Sequence, residues 1–511
     1  MTAKNLQAAI ARTPRLRDVS RGMLSILALL AALLVIPLWI DSDFVYHVFI
    51  TVCLYGALAT AWNIIAGFGG KFSLGHAIFY GLGAYIAGLL VTVGVSPWIG
   101  MFGGAVAAAV VSVLLGWICF RLRGPFYVLS TVAAVQVFFL LAVHFDGVTG
   151  GSSGIIVPMQ MGWEWMIFRE RAPSLFIAFG LLALALLAAW LIRRSRFGFY
   201  LIAAREREPA AMAAGINTVR MQLYAAAISG ALCAMVGTFH GMYTSFIEPQ
   251  EMFSLQFSIE IAMFSLIGGI GTVAGPLLGT LLLVPLTELA RGWLGSSAVG
   301  LHGFVYGTTL VLIVLFLPNG LMSLGQVRAF RRLNGLETEA AAGEESASTA
   351  SAAVLETPAA SPGSDMSDRP EVLRAQALNK NFFGLQVTEN VDLSLHQGEV
   401  LGIIGPNGAG KTTLFNMLSG FIQPDSGSVE TRGPDGDFLR PATPHAFARL
   451  GVGRTFQIVQ PFANMTVAEN IMVGAFHHYP RRAEARDKAL EVADRMGLWR
   501  FRDLEARHLT I

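Results

Sequence analysis

The sequence predicts an all-α polytopic membrane domain of about ten helices, followed by an α/β domain with a phosphate-binding loop. Three observations predict it. Hydrophobic residues make up 54% of the 511-residue chain and charged residues only 14%, too little charge to cover a soluble surface of this size. The apolar residues crowd into positions 22–318 and the charges into the residues C-terminal to them. A glycine-rich motif of the phosphate-loop type stands in that second part, at positions 405–413. The net charge of +2 provides no basic field, so no nucleic-acid partner is expected.

Apolar segments of spanning or near-spanning length lie at 22–40, 46–66, 73–95, 98–120, 125–145, 174–192, 221–243, 257–271, 273–290 and 300–317. A crossing helix needs about 20 residues. The eighth and ninth are short and rich in glycine, so they are read as tilted, broken or a re-entrant pair buried in protein. The first run, from Leu24 to Ile40, is about as long as a bilayer core. It has no small-residue cleavage site after it, which argues against a cleavable signal. Cys53, Cys119 and Cys233 all sit in apolar runs without CxxC spacing. They are expected to pack rather than to bind metal or form disulfides.

Orientation follows from lysine and arginine. Lys4, Arg12, Arg15, Arg17 and Arg21 place the N-terminus in the cytoplasm. Ten crossings then put Lys71, Arg121, Arg123, the arginines between 193 and 220, and Arg328, Arg331 and Arg332 on the same side. The loop 146–173 falls outside and carries Arg169 and Arg171 as a minor exception. The expected division is a cytoplasmic segment at 1–21, a transmembrane domain at 22–325, a flexible linker at 326–370 and a soluble α/β domain at 371–511. The linker is Ala, Ser, Glu, Thr, Pro and Gly without apolar period, a composition that builds no core.

Gly405-Pro406-Asn407-Gly408-Ala409-Gly410-Lys411-Thr412-Thr413 fits GxxxxGK[ST]. The β-rich run Val400 to Ile404 precedes it and a helix is expected from Thr412 to Leu418. Glycines let backbone N–H groups curl around phosphate oxygens at a helix N-terminus. Lys411 supplies charge to the β- and γ-phosphates, and Thr412 offers its hydroxyl to Mg²⁺. ATP and Mg²⁺ are the expected cofactors.

With that motif in place, residues 371–511 resemble the ATPase domain of ABC transporters. Gly453-Arg454-Thr455-Phe456-Gln457 resembles the family's Q-loop, and Met465-Thr466-Val467-Ala468-Glu469-Asn470 resembles a run of the same family. The resemblance implies that Gln457 contacts Mg²⁺ and the attacking water, and that Phe382 or Phe383 stacks on adenine. The alternatives are a solvated glutamine and a core phenylalanine. The family's signature, catalytic glutamate and switch histidine would lie beyond Leu509-Thr510-Ile511. The domain is therefore expected to be partial, with no hydrolysis by this stretch alone.

The membrane half, over about 46–325, resembles permeases of the branched-chain amino acid importers. Several runs in the family's order carry this: Asn63 to Ala77, Thr149 to Ile155, Ser195-Arg196-Phe197-Gly198, Gly268 to Gly271 with Gly275-Pro276, and Phe316 to Leu321. Gly67 to Gly75 would break a helix, so that backbone faces a cavity rather than lipid. Asn63 and His76 near the break are candidates for lining the translocation path; the alternative is an interhelical hydrogen bond holding the break. Glu260 is read as lying near the interface, or as protonated or paired. His144 and His240 lie near the ends of their segments.

The loop 193–220 holds Glu206, Glu208, Ala211 and Gly215 and resembles the coupling helix of ABC importers, with Gly215 as its C-cap. It would dock on the ATPase near the Q-loop; the alternative is a solvated basic loop. The resemblance implies ATP-driven import of branched-chain or hydrophobic amino acids across a bacterial inner membrane, with both termini cytoplasmic. It further implies a second permease subunit, a second ATP-binding subunit, a periplasmic substrate-binding protein and membrane lipid around the helices. A urea or short-amide importer is the main alternative, differing in its binding protein. An exporter is disfavoured by the short cytoplasmic loops. A selective channel is disfavoured because no ring of pore charges is evident.

Overall fold

The computed structural model describes residues 30–37, 39–40, 42–122, 124–294, 307–308, 311, 315, 320–322 and 369–509. Nearly half of the first apolar segment and most of the tenth lie outside these residues, as do the N-terminal charges, Arg123, Arg328, Arg331 and Arg332. So do Phe316 to Asn319, nearly all of the expected linker, and Thr510 and Ile511. The described chain divides into two compact units. One takes residues up to 194 and from 222 to 331; the other takes 195–221 together with the residues from 332 onward.

The first unit is helical. Its central element is α1, Asp43–Asn63, continued by a π-helical turn at Ile64–Phe68. Around it run α2 (His76–Thr92), α3 (Pro97–Cys119), α4 (Pro125–His144), α5 (Arg171–Arg194), α8 (Thr218–Thr244, numbered after two helices of the other unit), α9 (Leu255–Gly268) and α10 (Gly275–Leu294). Among the described residues six helical stretches are long and apolar enough to cross a membrane: Asp43–Phe68, Pro97–Cys119, Pro125–His144, Arg171–Arg194, Thr218–Thr244 and Pro249–Gly268. His76–Thr92 and Gly275–Leu289 are apolar but shorter. The glycine-rich pair is two helices joined by a bend in which Gly269 and Gly271 have φ of +129° and +77°, values costly for residues with a Cβ.

Glycine sets the closest helix contacts, as is usual where lipid offers no hydrophobic drive. A Cβ at Gly83 would overlap the Ala234 carbonyl, and one at Gly237 the Tyr80 carbonyl. Hydroxyls tie neighbouring backbones: Ser265 Oγ donates to Ala59 O at 2.8 Å, Ser229 Oγ to Ala61 O at 2.6 Å and Thr238 Oγ1 to Gly83 O at 2.9 Å. The three cysteines are free and buried. Two short strands, β1 (Ile155–Ile156) and β2 (Phe246–Ile247), pair antiparallel.

The second unit has an antiparallel sheet of order β4-β3-β5-β6, formed by β3 (Glu371–Phe382), β4 (Leu385–His396), β5 (Ser426–Arg432) and β6 (Phe438–Leu439). One face covers Leu414, Met417 and Phe447, from α11 (Lys411–Leu418) and α12 (Pro444–Arg449). Helices α13 (Val467–Ala475) and α14 (Arg482–Arg495) pack against each other. The expected strand at Val400–Ile404 is not a strand. It pairs with no other segment among the described residues, and Val400 and Ile404 are 97% and 96% exposed. β-Branched composition favours an extended chain, but a strand exists only where a neighbour completes its hydrogen-bond ladder.

Candidate functional site

The phosphate-type loop joins the extended run 400–404 to the N-terminus of α11. Gly408 and Gly410 have φ of +86° and +78°. A Cβ at Gly410 would stand 2.6 Å from the Val387 carbonyl oxygen, so both the left-handed turn and the approach to β4 require glycine. The Lys411 ammonium turns back into the loop and donates to the carbonyls of Gly405 at 2.5 Å and Pro406 at 2.6 Å. The first amides of α11 have no carbonyl within their own helix to bond. This donor set of one ammonium and helix-terminal amides fits a polyphosphate. Asn407 and Thr412 are exposed, and Gly405 and Thr413 half-buried.

Gln457 is exposed in a bend. The neighbouring Arg454 is anchored: its Nη1 donates to Ser419 Oγ at 2.7 Å and its guanidinium lies 4.7 Å from the Phe421 ring centre and 5.3 Å from that of Phe456. Phe382 ends β3, 38% exposed, with Lys380 Nζ 5.4 Å from its ring; Phe383 is fully exposed at φ +50°.

The loop after α5 forms α6 (Arg196–Glu206) and α7 (Glu208–Ala213), both in the second unit. Arg207 breaks them with an extended backbone. Gly215 at φ +84° ends α7: its N–H bonds Met212 O at 3.0 Å and the Ile216 N–H bonds Ala211 O at 3.1 Å, the pair of bonds of a Schellman cap. The two helices lie against α13 and the turn before it. Phe199, Ile202, Ala211 and Ile216 are buried in one cluster with Phe462, Met465 and Phe476. Glu206 accepts from Asn464 Nδ2 at 2.7 and 2.8 Å. Glu208 accepts from Thr218 Oγ1 at 3.0 Å, and Asn217 Nδ2 pairs with His445 Nε2 at 3.2 Å. A Cβ on Gly215 would lie 3.7 Å from His477 Nδ1 and 3.8 Å from Arg449 Cγ. Burial lowers the pKa of both His445 and His477, and in each case the Arg449 charge lowers it further.

The receiving side of this surface was not legible in the sequence. Asn464, Phe476 and His445 carry no local pattern that names a partner far along the chain. One signal was available: Thr466-x-x-Glu469 is a capping box, and both of its reciprocal hydrogen bonds form at the start of α13, as S/T-x-x-E before an apolar run predicts.

In the membrane unit, Asn63 is fully buried at the π-helical turn. Its Nδ2 donates to Thr272 O at 2.7 Å and its Oδ1 accepts from the Gly271 N–H at 2.8 Å. A Cβ at Gly67 would overlap its amide. His76 is buried at the start of α2, paired through Nε2 with Ser229 Oγ at 2.9 Å, and it lines a small cavity of 30 Å³ together with Ser73, Tyr127 and Thr131. On sequence grounds Asn63 and His76 belong together near the break. The structure separates their partners, with Asn63 against the α9–α10 bend and His76 against α8. Gln256 Nε2 donates to Glu260 Oε1 at 3.2 Å, His240 pairs with Tyr80, and His144 is exposed beside Phe145.

A bundle of apolar crossing helices together with a phosphate-type loop on an α/β domain defines a multi-pass membrane protein with a nucleotide-binding domain. A family model described as "Branched-chain amino acid transport system / permease component" matches residues 44–314, more than half of the chain, and the chain belongs to that family. A second model, described as "ABC transporter", matches residues 388–510, and nucleotide binding goes with that domain. The probable branched-chain amino acid transport ATP-binding protein LivG of Archaeoglobus fulgidus is 36% identical over 27% of this chain and 58% of its own length. The high-affinity branched-chain amino acid transport ATP-binding protein BraF of Pseudomonas aeruginosa is 42% identical over 21% of this chain and 41% of its own length. The lipoprotein-releasing system ATP-binding protein LolD of Bacteroides thetaiotaomicron is 34% identical over 25% and 58%. The chain thus spans between 41% and 58% of the length of these relatives.

Proposed function

We propose that this chain is the permease and nucleotide-binding module of an ATP-driven importer of branched-chain or other hydrophobic amino acids, acting as a multi-pass protein of a bacterial inner membrane with cytoplasmic termini. The observation that carries the coupling is the seating of α6 and α7, which come directly after the crossing helix α5 in the chain, against Phe462, Met465 and Phe476 of the ATPase domain. A rigid apolar contact of this kind passes displacement on without dissipating it in loop motion. The substrate class rests on the permease family and not on the ATPase half, whose relatives include a lipoprotein-releasing protein.

The domain limits in this reading are 1–21, 22–325, 326–370 and 371–511. Gly405, Asn407, Gly408, Gly410, Lys411 and Thr413 would hold the phosphates of ATP, Thr412 and Gln457 would hold Mg²⁺, and Phe382 would lie against adenine. Bound ATP supplies phosphoryl-transfer energy to the cycle. Lys411 neutralises phosphate charge, and Glu206, Glu208, Ala211 and Gly215 keep the coupling helices in register with the domain. A second permease subunit, a second ATP-binding subunit and a periplasmic substrate-binding protein complete the assembly.

The test is uptake of radiolabelled leucine by proteoliposomes that hold the full-length protein with these partners and internal ATP, beside a Lys411→Ala control. Accumulation that the control abolishes supports the reading. Uptake of urea or a short amide in place of leucine overturns the substrate, and no ATP-dependent uptake of either overturns the importer.

A further inference from the structure

We propose that the cavity beside His76 binds a single water molecule, which donates a hydrogen bond to His76 Nδ1 and joins the start of α2 to α3 and α4. The site does not depend on the importer reading, and it gives His76 a task other than lining the translocation path.

The hydrogen bonds around the ring fix its tautomer. Ser229 Oγ lies 2.9 Å from His76 Nε2 and 2.6 Å from the carbonyl oxygen of Ala61. A carbonyl only accepts and a hydroxyl has one hydrogen, so Ser229 gives that hydrogen to Ala61 and accepts from the ring. Nε2 therefore carries a proton. No carboxylate lines the cavity among the described residues, and a second ring proton would be a buried charge without a counter-ion. Nδ1 is then an acceptor in need of a donor. His76 is 1% exposed, and its Nδ1 has no hydrogen-bond partner among the described residues. A buried polar atom left in that condition is costly, and ordered water is the usual remedy.

The hydroxyls that share the lining do not supply the donor. Ser112 Oγ of α3 gives its hydrogen to Ala109 O at 2.8 Å, and Thr131 Oγ1 of α4 gives its own to Val128 O at 2.7 Å. Thr131 Oγ1 also accepts from the Leu74 N–H at 3.1 Å. Ser73 and Tyr127 hydrogen-bond each other through their side chains, which leaves one hydrogen between the two hydroxyls. The lining is therefore rich in lone pairs, on Nδ1, Ser112 and Thr131, and has a single donor to spare. Water has two hydrogens to give and two lone pairs to receive with, and it matches that set. The volume agrees. At 30 Å³ the cavity exceeds the about 10–15 Å³ that one water needs and falls far below the about 300 Å³ at which small-molecule sites begin.

The test is electron cryomicroscopy of the full chain in lipid nanodiscs, at a resolution that shows ordered water and in a buffer without ammonium salts, so that a peak in the cavity is water. The expected result is one peak about 2.7–3.2 Å from His76 Nδ1. A thermal-melting cycle checks the bond itself. Ala226, on α8, lines the same cavity, and Ala226→Val takes the space of the water. In the wild type it should lower the melting temperature, because Nδ1 loses its donor; filling a dry cavity would raise it. In a His76→Phe background, which has no Nδ1 to satisfy, the same valine should lower the melting temperature less. The map needs no variant, so a variant that fails to fold leaves the test intact. No peak beside Nδ1, a higher melting temperature for Ala226→Val, or an equal loss in both backgrounds overturns the site.

Discussion

The carboxylate of Glu206, the last residue of α6, receives the side-chain amide of Asn464, 258 positions further along the chain, through contacts of 2.7 and 2.8 Å. This polar bond closes the rim of the apolar cluster that holds the loop 195–221 to the ATPase domain. Glu206→Ala should leave ATP affinity within about twofold and lower uptake per ATP hydrolysed about tenfold, since a charge-assisted hydrogen bond is worth about that factor or more. Nucleotide titration and uptake measured on the same preparation check it; equal losses in both would assign Glu206 to folding instead.

Phe476 fills the centre of that cluster, fully buried, with its ring 5.5 Å from Phe199 and 5.9 Å from Tyr200. Phe476→Ala should destabilise this unit by about 3–5 kcal/mol. Chemical unfolding followed by a probe in the second unit reads the loss, and a change under about 1 kcal/mol would mean the cluster is loosely packed.

Asn63 satisfies two backbone groups of the α9–α10 bend. Asn63→Ala leaves the Gly271 N–H and the Thr272 carbonyl without their partner, at about 1–3 kcal/mol each. Asn63→Asp can still accept but cannot donate. The expected order of melting temperature in detergent is wild type, then Asp, then Ala; Ala melting with the wild type would show that these bonds are replaceable.

The contact between α2 and α8 depends on Gly237 lying against the Tyr80 carbonyl. Gly237→Val should cost about 1–3 kcal/mol or more, because the backbone behind it cannot give way. Gly180, with open space around it, serves as the control position, where alanine should leave the melting temperature unchanged.

The histidines beside α7 and the Gly215 turn give the second unit a pH dependence. His445 and His477 have pKa values lowered by burial and by the Arg449 charge, so the folded state holds fewer protons there than the unfolded state, whose histidines titrate near about 6.5. Above that value both states are neutral at these positions and stability is at its full level. As pH falls below it the unfolded state takes up protons first and stability is lost. Melting curves from pH 7.5 to 5.5 should decline, and His445→Gln should flatten the decline. A profile that rises on acidification would contradict the assignment.

Local signals carried much of the fold and part of the candidate site. Apolar runs long enough to cross a bilayer reappear as helices from residue 43 to 268, because a chain in lipid must satisfy its own backbone and has few other ways to do so. Lys411 and the glycines of its loop were legible because the backbone shape they permit is encoded within nine residues. Gly215 was legible as a helix end for the same reason.

What the sequence determined by itself, then, was whatever depends on neighbours a few positions away: helices, caps, the phosphate-type loop and the contrast between an apolar and a charged part of the chain. The tertiary structure alone decided the rest. It paired Glu206 with Asn464, set Asn63 against Thr272, brought Glu260 and Glu288 to one aromatic cavity, and left Val400–Ile404 without the ladder its composition suits. Each of these depends on groups brought together across long stretches of chain, and side-chain periodicity, which reports only which face of an element is apolar, carries no record of the partner that face will meet.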